Sequence, residues 1–270
     1  MADISAKAVN DLRAKIGLGM MECKKLLVEA GGDIEKAVDI ARKKGVKTSI
    51  AERAATEGRI GAEISTDKKR GAVAEVVCNT DFTAKSEPLA RVVKIAVESL
   101  LKHPGASLAD NGEIKSTLAT VSQQTGENVQ LGRTATLEGE TVGGYVYTTA
   151  GKGKVAVLMA FTGKPDDALI AQIGMHITAA RPIAHTRADV FADVIAKERE
   201  IAVEQAKATG KPQQIAEKIA EGKLNAFYGE RVLLDQDFIN AEVFKGKVAE
   251  FLKSKGVHLQ KYIRLEVGQA

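Results

Sequence analysis

From residue 58 onward one order of elements occurs twice, and this duplication limits the fold more than any other feature of the chain. In the first copy, residues 58–66 (Arg59-Ile60-Gly61-Ala62-Glu63-Ile64-Ser65) and 71–79 (Gly71-Ala72-Val73-Ala74-Glu75-Val76-Val77-Cys78) alternate or run apolar on either side of Asp67-Lys68-Lys69-Arg70-Gly71. That pattern predicts a β-hairpin. Leu89, Val92, Val93, Ala96, Val97 and Leu100 then share one helical face, a second helix is expected near 113–123, and a strand covers 129–139. In the second copy, strands 141–149 and 153–162 flank Ala150-Gly151-Lys152-Gly153, a helix occupies 166–180, and a helix over 241–255 precedes a strand at 257–267. Arg133-Thr134-Ala135-Thr136-Leu137-Glu138-Gly139 and Tyr262-Ile263-Arg264-Leu265-Glu266-Val267-Gly268 carry a faint echo of each other. The expectation is an α+β fold of two related subdomains, each a three-stranded antiparallel sheet covered by helices.

Two further segments complete the organisation. Residues 1–45 read as a three-helix bundle: Ile4, Ala8 and Leu12 recur every fourth position, Met20, Cys23, Leu27 and Ala30 resume the period after Gly17 and Gly19, and Asp33 is placed to cap a third helix. So small a unit has little core and is suited to presenting a surface. The Met20-Met21 pair is the candidate for adaptable apolar contact, against the alternative that one methionine fills the bundle. Between 187 and 230, Val194, Ile201 and Ala208, a Gly210-Lys211-Pro212 turn, then Ile215, Ile219 and Ala226 predict an inserted antiparallel helical hairpin. The expected division is a helical domain at 1–45, a basic linker at 46–57, a first core subdomain at 58–140, a second at 141–186 with 231–270, and the hairpin at 187–230. The basic character is densest from Arg42 to Arg53, which reads either as a solvated tether or as a phosphate-contacting arm.

Composition narrows the function. Charged residues at 27% and hydrophobic residues at 44% are those of a folded globular chain, and no apolar run reaches the roughly 18 residues of a membrane span. The start lacks the order of a secretory signal, so a cytoplasmic setting is expected, with Cys23 and Cys78 reduced and buried. A net charge of +4 does not require a nucleic-acid partner. The Gly-Lys pairs lack the upstream glycine and following hydroxyl of a phosphate-binding loop, and His103, His176, His185 and His258 lack zinc-ligand spacing. No serine or cysteine lies in a nucleophile motif, so neither an enzyme nor a bound cofactor, metal or nucleotide is expected.

One segment stands apart. After a strand, Asn79 or Thr80 can cap a helical turn with Asp81 at its positive end, and Ser86-Glu87-Pro88 interrupts before the long helix. A break there frees Phe82 from the core; a continuous helix would stack it over Leu89 and Val93. An exposed aromatic ring in a chain with seven phenylalanines and no tryptophan points to a protein partner.

Thr80-Asp81-Phe82-Thr83-Ala84-Lys85, with Leu18-Gly19-Met20-Met21-Glu22-Cys23-Lys24-Lys25 upstream, Met175-His176-Ile177 later and Ile263-Arg264-Leu265-Glu266-Val267-Gly268 at the end, resembles the bacterial elongation factor Ts family. The resemblance implies a ubiquitin-associated-like N-terminal bundle and guanine-nucleotide exchange on elongation factor Tu. It further implies that Thr80, Asp81, Phe82 and Thr83 meet the GTPase domain of that partner, with the phenylalanine wedged near the magnesium side, and that Met20 and Met21 contact the same domain. Two positions depart from the family pattern: Tyr145-Val146-Tyr147 stands where Tyr-x-His is frequent, and Gln236-Asp237-Phe238 where Gln-Pro-Phe is common. The competing expectations are a translation-associated RNA-binding protein using the basic linker and Lys68-Lys69-Arg70, and a small-molecule enzyme with a site between the subdomains.

Overall fold

The computed structural model describes residues 4–16, 18–45, 53–208 and 212–269. Helices α1 (Ala6–Ile16), α2 (Met20–Glu29) and α3 (Ile34–Lys43) form the N-terminal bundle. Val9, Leu12, Ile16, Cys23, Leu26, Leu27, Ala37 and Ala41 are its core. Gly31 and Gly32, at φ 65° and 90°, end α2 in a conformation costly for any residue with a Cβ. Asp33 then caps α3, its Oδ1 accepting from the N–H groups of Glu35 (2.9 Å) and Lys36 (3.1 Å). Of the basic linker, residues 46–52 lie outside the described residues. Arg53 is anchored: its guanidinium donates to the Gly126 carbonyl (2.9 Å) and its own carbonyl accepts from Asn128 Nδ2 (2.7 Å).

The remainder is mixed helix and sheet in four layers. Strands β1 (Glu57–Ile64) and β2 (Arg70–Cys78) form the first hairpin, followed by a single turn, α4 (Asp81–Ala84), then α5 (Glu87–Lys102), α6 (Gly112–Thr125) and β3 (Gln130–Glu138). The second run comprises β4 (Thr141–Thr149), β5 (Lys152–Thr162), α7 (Asp167–Ala180), α8 (Ala192–Lys207), α9 (Gln213–Arg231), α10 (Val248–Ser254) and β6 (His258–Glu266). Each sheet is antiparallel, ordered β1-β2-β3 and β4-β5-β6, with β2 and β5 central.

Alternation along the central strands shows how the layers stack. Ala72, Ala74, Val76 and Cys78 of β2 face α5 and α6, while Val73 joins Ile60 and Leu137 on the opposite face. On β5, Val155, Val157, Met159 and Phe161 face α7 and α10, while Ala156, Leu158 and Ala160 meet the first sheet. The two sheets therefore pack face to face with helices outside, and both central strands are buried on both faces, which is why they read as nearly continuous apolar runs. An apolar cluster including Ile60, Val73, Leu137 and Leu158 occupies the layer between the sheets, where an enzyme site between subdomains is one expectation, together with the buried carboxylate of Glu75 and its partner Arg133. Gly153 permits the closest approach: a Cβ there would stand 2.0 Å from the Ile60 carbonyl oxygen.

Two details differ from expectation. The hairpin of α8 and α9 closes on Ala202, Ala206, Ala216, Ala220 and Leu224, whereas Ile215, Ala208 and Ala226 of the expected stripe are exposed and Ile201 and Ile219 are half-buried. Small side chains let the helices approach closely, which displaces the bulkier isoleucines to the flank of the seam. The helix expected over 241–255 is confined to α10, because the chain before it is committed to pairing. The Phe238 N–H donates to the Gly246 carbonyl (2.8 Å) and the Val248 N–H to that of Gln236 (3.0 Å), closing a bridge between Asp237 and Lys247. The N–H of Asp237 takes no part in this pair of bonds, so aspartate and proline are equally compatible with them. The bridge presses Phe238 against His176, whose rings stack at 5.6 Å. His176 is fully buried; its Nδ1 accepts from the Ile239 N–H (3.2 Å), so Nε2 carries the proton and donates to Gln236 Oε1 (3.0 Å). Burial pulls this imidazole below its ordinary pKa, keeping it neutral.

Candidate functional site

The segment singled out by its sequence follows the end of β2, the central strand of the first sheet. Cys78 ends β2, and the chain turns through Asn79 and Thr80 into α4. Thr80 caps that turn, its Oγ1 accepting from the Thr83 N–H (3.3 Å). Ser86 starts α5 with Pro88 in its first turn, so the helices are separate and the continuous-helix alternative for Phe82 does not hold. Thr83 and Ala84 are buried and face inward. Phe82 points the other way and is 89% exposed, more than any other large apolar side chain among the described residues.

The turn beneath the ring is tightly held. One carboxylate, Glu127, receives four donors: its Oε2 takes the N–H groups of Asn79 and Thr80 (both 3.1 Å), and its Oε1 takes the hydroxyls of Thr80 (2.6 Å) and Thr83 (2.7 Å). The Asn79 side chain ties the same stretch to both flanks, donating to the Ala54 carbonyl (2.8 Å) and accepting from the Asn128 N–H (2.7 Å). Cys78 lies under the turn with its thiol raised to about 11, chiefly by burial and then by the charge of Glu127, so it is an unreactive packing group. Both cysteines are free and buried.

Asp81 has two cationic partners. Its Oδ2 lies 2.5 Å from Lys85 Nζ one turn on, and its Oδ1 lies 2.5 Å from Lys152 Nζ, which comes from β5 of the other sheet. Lys152 also reaches Glu57 Oε2 (3.0 Å), and its side chain is only 4% exposed. Hydrogen bonds from Lys152 and Lys85 hold the Asp81 carboxyl down at about 2. Burial alone would lower the Lys152 ammonium, but its bonds to Asp81 and Glu57 outweigh that and raise it, so the pair stays charged.

Thr80, Asp81, Phe82 and Thr83 thus form one constellation. Sequence reasoning missed the groups that support it, Glu127, Lys152 and Glu57; Gly151-Lys152-Gly153 carried only the signature of a hairpin turn. Met20 and Met21 lie elsewhere, on the first turn of α2, and are 57% and 69% exposed, so neither fills the bundle. On the second sheet unit, Tyr147 of β4 and Met175 of α7 are also exposed. Lys68, part of the basic turn considered for RNA, pairs with Asp167 (3.2 Å).

Among the described residues, no group of three or more His, Cys, Asp or Glu side chains is placed to hold a metal ion, and no helix is long and apolar enough to cross a membrane.

The match to known proteins runs through these same elements. The family model for elongation factor TS matches residues 79–269, beginning at the capped turn. The elongation factor Ts of Pasteurella multocida (strain Pm70) is 40% identical over 272 residues, spanning 100% of this chain and 93% of that protein. That of Hahella chejuensis (strain KCTC 2396) is 39% identical over 274 residues, and that of Yersinia pestis (strain Pestoides F) 37% over 275 residues, each again spanning 100% of this chain and 93% of the relative. A duplicated sheet unit, a capped turn bearing a bare phenylalanine and likeness along the whole chain lead to one conclusion: the chain belongs to the elongation factor Ts family.

Proposed function

We propose that this chain is a guanine-nucleotide exchange factor for elongation factor Tu and promotes GDP release during translation elongation. The observation that carries the reading is Phe82, a ring 89% exposed on a turn whose backbone and side chains are fixed from several sides. An apolar ring kept in water on a rigid support stabilises nothing in the free protein and is pre-organised for a partner's pocket.

Exchange of this kind changes no covalent bond. A protein that binds the empty GTPase more tightly than the GDP-bound one must, by reciprocity, weaken GDP by the same factor. Speeding release a thousandfold requires lowering the barrier by about 4 kcal/mol. Burying one phenylalanine contributes about 1.5 to 3 kcal/mol, so Phe82 needs help. In this reading Asp81 and Phe82 dock on the GTPase domain, and the ring displaces the segment that holds the partner's magnesium, uncovering repulsion between phosphate and carboxylate charges. Thr80 and Thr83 shape the turn. Met20 and Met21 add adaptable apolar contact with the same domain, and the second sheet unit and the hairpin reach other parts of the partner. No cofactor, metal or nucleotide on this chain enters the scheme.

The test is release of a fluorescent GDP analogue from elongation factor Tu with and without this protein. Acceleration by orders of magnitude at catalytic amounts is expected; an unchanged rate would reject the assignment.

A further inference from the structure

Within the docking reading above, on which this inference rests, the support of Asp81 has an unusual origin. The carboxylate sits on α4 of the first sheet unit, but Lys152, which holds its Oδ1 at 2.5 Å, belongs to the first position of β5 in the second. Lys85 meets the other oxygen from a stem that is 41% exposed, whereas the Lys152 side chain is 4% exposed and anchored at its far side by Glu57. A cation on an exposed stem exchanges readily with water. A buried ammonium between two carboxylates does not, since leaving would strand charges without solvent. The neighbouring Gly153 lies against β1, where a Cβ would stand 2.0 Å from the Ile60 carbonyl oxygen, so the strand bearing Lys152 is fixed against the first sheet.

We infer that Lys152 is a positioning residue for exchange: through Asp81 it fixes the orientation in which α4 presents Phe82, and so ties the wedge to the second sheet. Glu127 holds the start of the turn at Asn79, Thr80 and Thr83, and Lys152 holds Asp81, immediately before the ring. Lys152 itself does not meet the partner. Its loss removes no docking residue, so capture of the GTPase persists while the ring enters in the wrong orientation.

The experiment is a double-mutant cycle on stimulated GDP release, comparing the full-length chain with Lys152→Met, Phe82→Ala and the combination, each verified as folded by circular dichroism. Lys152→Met should slow the maximal rate about tenfold, the scale of one lost charge-assisted hydrogen bond, with little change in the half-saturating concentration. Lys152→Arg should restore most of the rate. The double variant should be no slower than Phe82→Ala alone, because Lys152 acts through the ring. Losses that multiply would mean that Lys152 serves the fold independently of Phe82, and would overturn the inference; so would an unchanged maximal rate in Lys152→Met. In both cases a slow Phe82→Ala leaves the docking reading standing. A Phe82→Ala variant as fast as wild type would remove both. Should Lys152→Met not fold, Lys152→Gln, which keeps one donor without the charge, goes through the same cycle with the same deciding outcomes.

Discussion

Glu127 and Thr80 are joined twice, by the Thr80 hydroxyl on Oε1 at 2.6 Å and the Thr80 N–H on Oε2 at 3.1 Å, across a separation of 47 residues. The same carboxylate takes Asn79 N–H and the hydroxyl of buried Thr83. Replacing it by alanine strands those donors, so Glu127→Ala should cost roughly 2 kcal/mol of stability. Urea denaturation gives the value, and hydrogen exchange at the Thr80 amide should accelerate with it; a local turn that stays protected would show that the cap at Thr80 is sufficient.

Phe82 makes the opposite prediction. At 89% exposure it has almost no contacts to lose, and Phe82→Ala should leave stability within about 0.5 kcal/mol of wild type. Stimulated GDP release should fall between about tenfold and about 150-fold, the range equivalent to burying one phenylalanine. Thermal melts and release kinetics on the same preparation separate the two effects.

The Asp81 ion pairs carry a pH signature. Its folded pKa of about 2 lies below the unfolded value of 3.8, so the folded state binds the proton more weakly. The contribution of these contacts is complete above the unfolded value and is lost as pH falls from about 4 toward 2. Carboxyl NMR titration should find Asp81 at the depressed value in wild type and closer to the ordinary one in Lys152→Met.

Gly153 tests the sheet-on-sheet contact. Gly153→Ala places a methyl against the Ile60 carbonyl and should destabilise by about 1 to 3 kcal/mol as the sheets part, whereas Gly151→Ala, with open space around its Cβ position, should lose less despite its φ of 79°. Denaturant midpoints of the two variants decide the order.

Much of this architecture was legible because it is local. Asp33 as a cap, the Asp67–Gly71 turn and the Pro88 break are each written within a few residues, and the break correctly detached Phe82 from α5. What escaped is written across the fold. Glu127 and Lys152 reach the turn from α6–β3 and from β5, and no periodicity marks a charge that pairs with a distant strand. Glu75 is the same case: it reads as one polar residue in an apolar strand, yet it is 2% exposed, paired with Arg133 Nε at 2.8 Å and bonded to the Gly268 N–H at 3.2 Å. The hairpin seam was misplaced for a related reason, since periodicity weights isoleucine over alanine while close helix packing favours the smaller side chain.

The most direct measurement is titration calorimetry of this protein against elongation factor Tu in two states, nucleotide-free and saturated with GDP. The account predicts tighter binding to the empty GTPase by about a thousandfold or more, with Phe82→Ala narrowing the gap. Equal affinities for the two states would contradict it, whatever the release kinetics show.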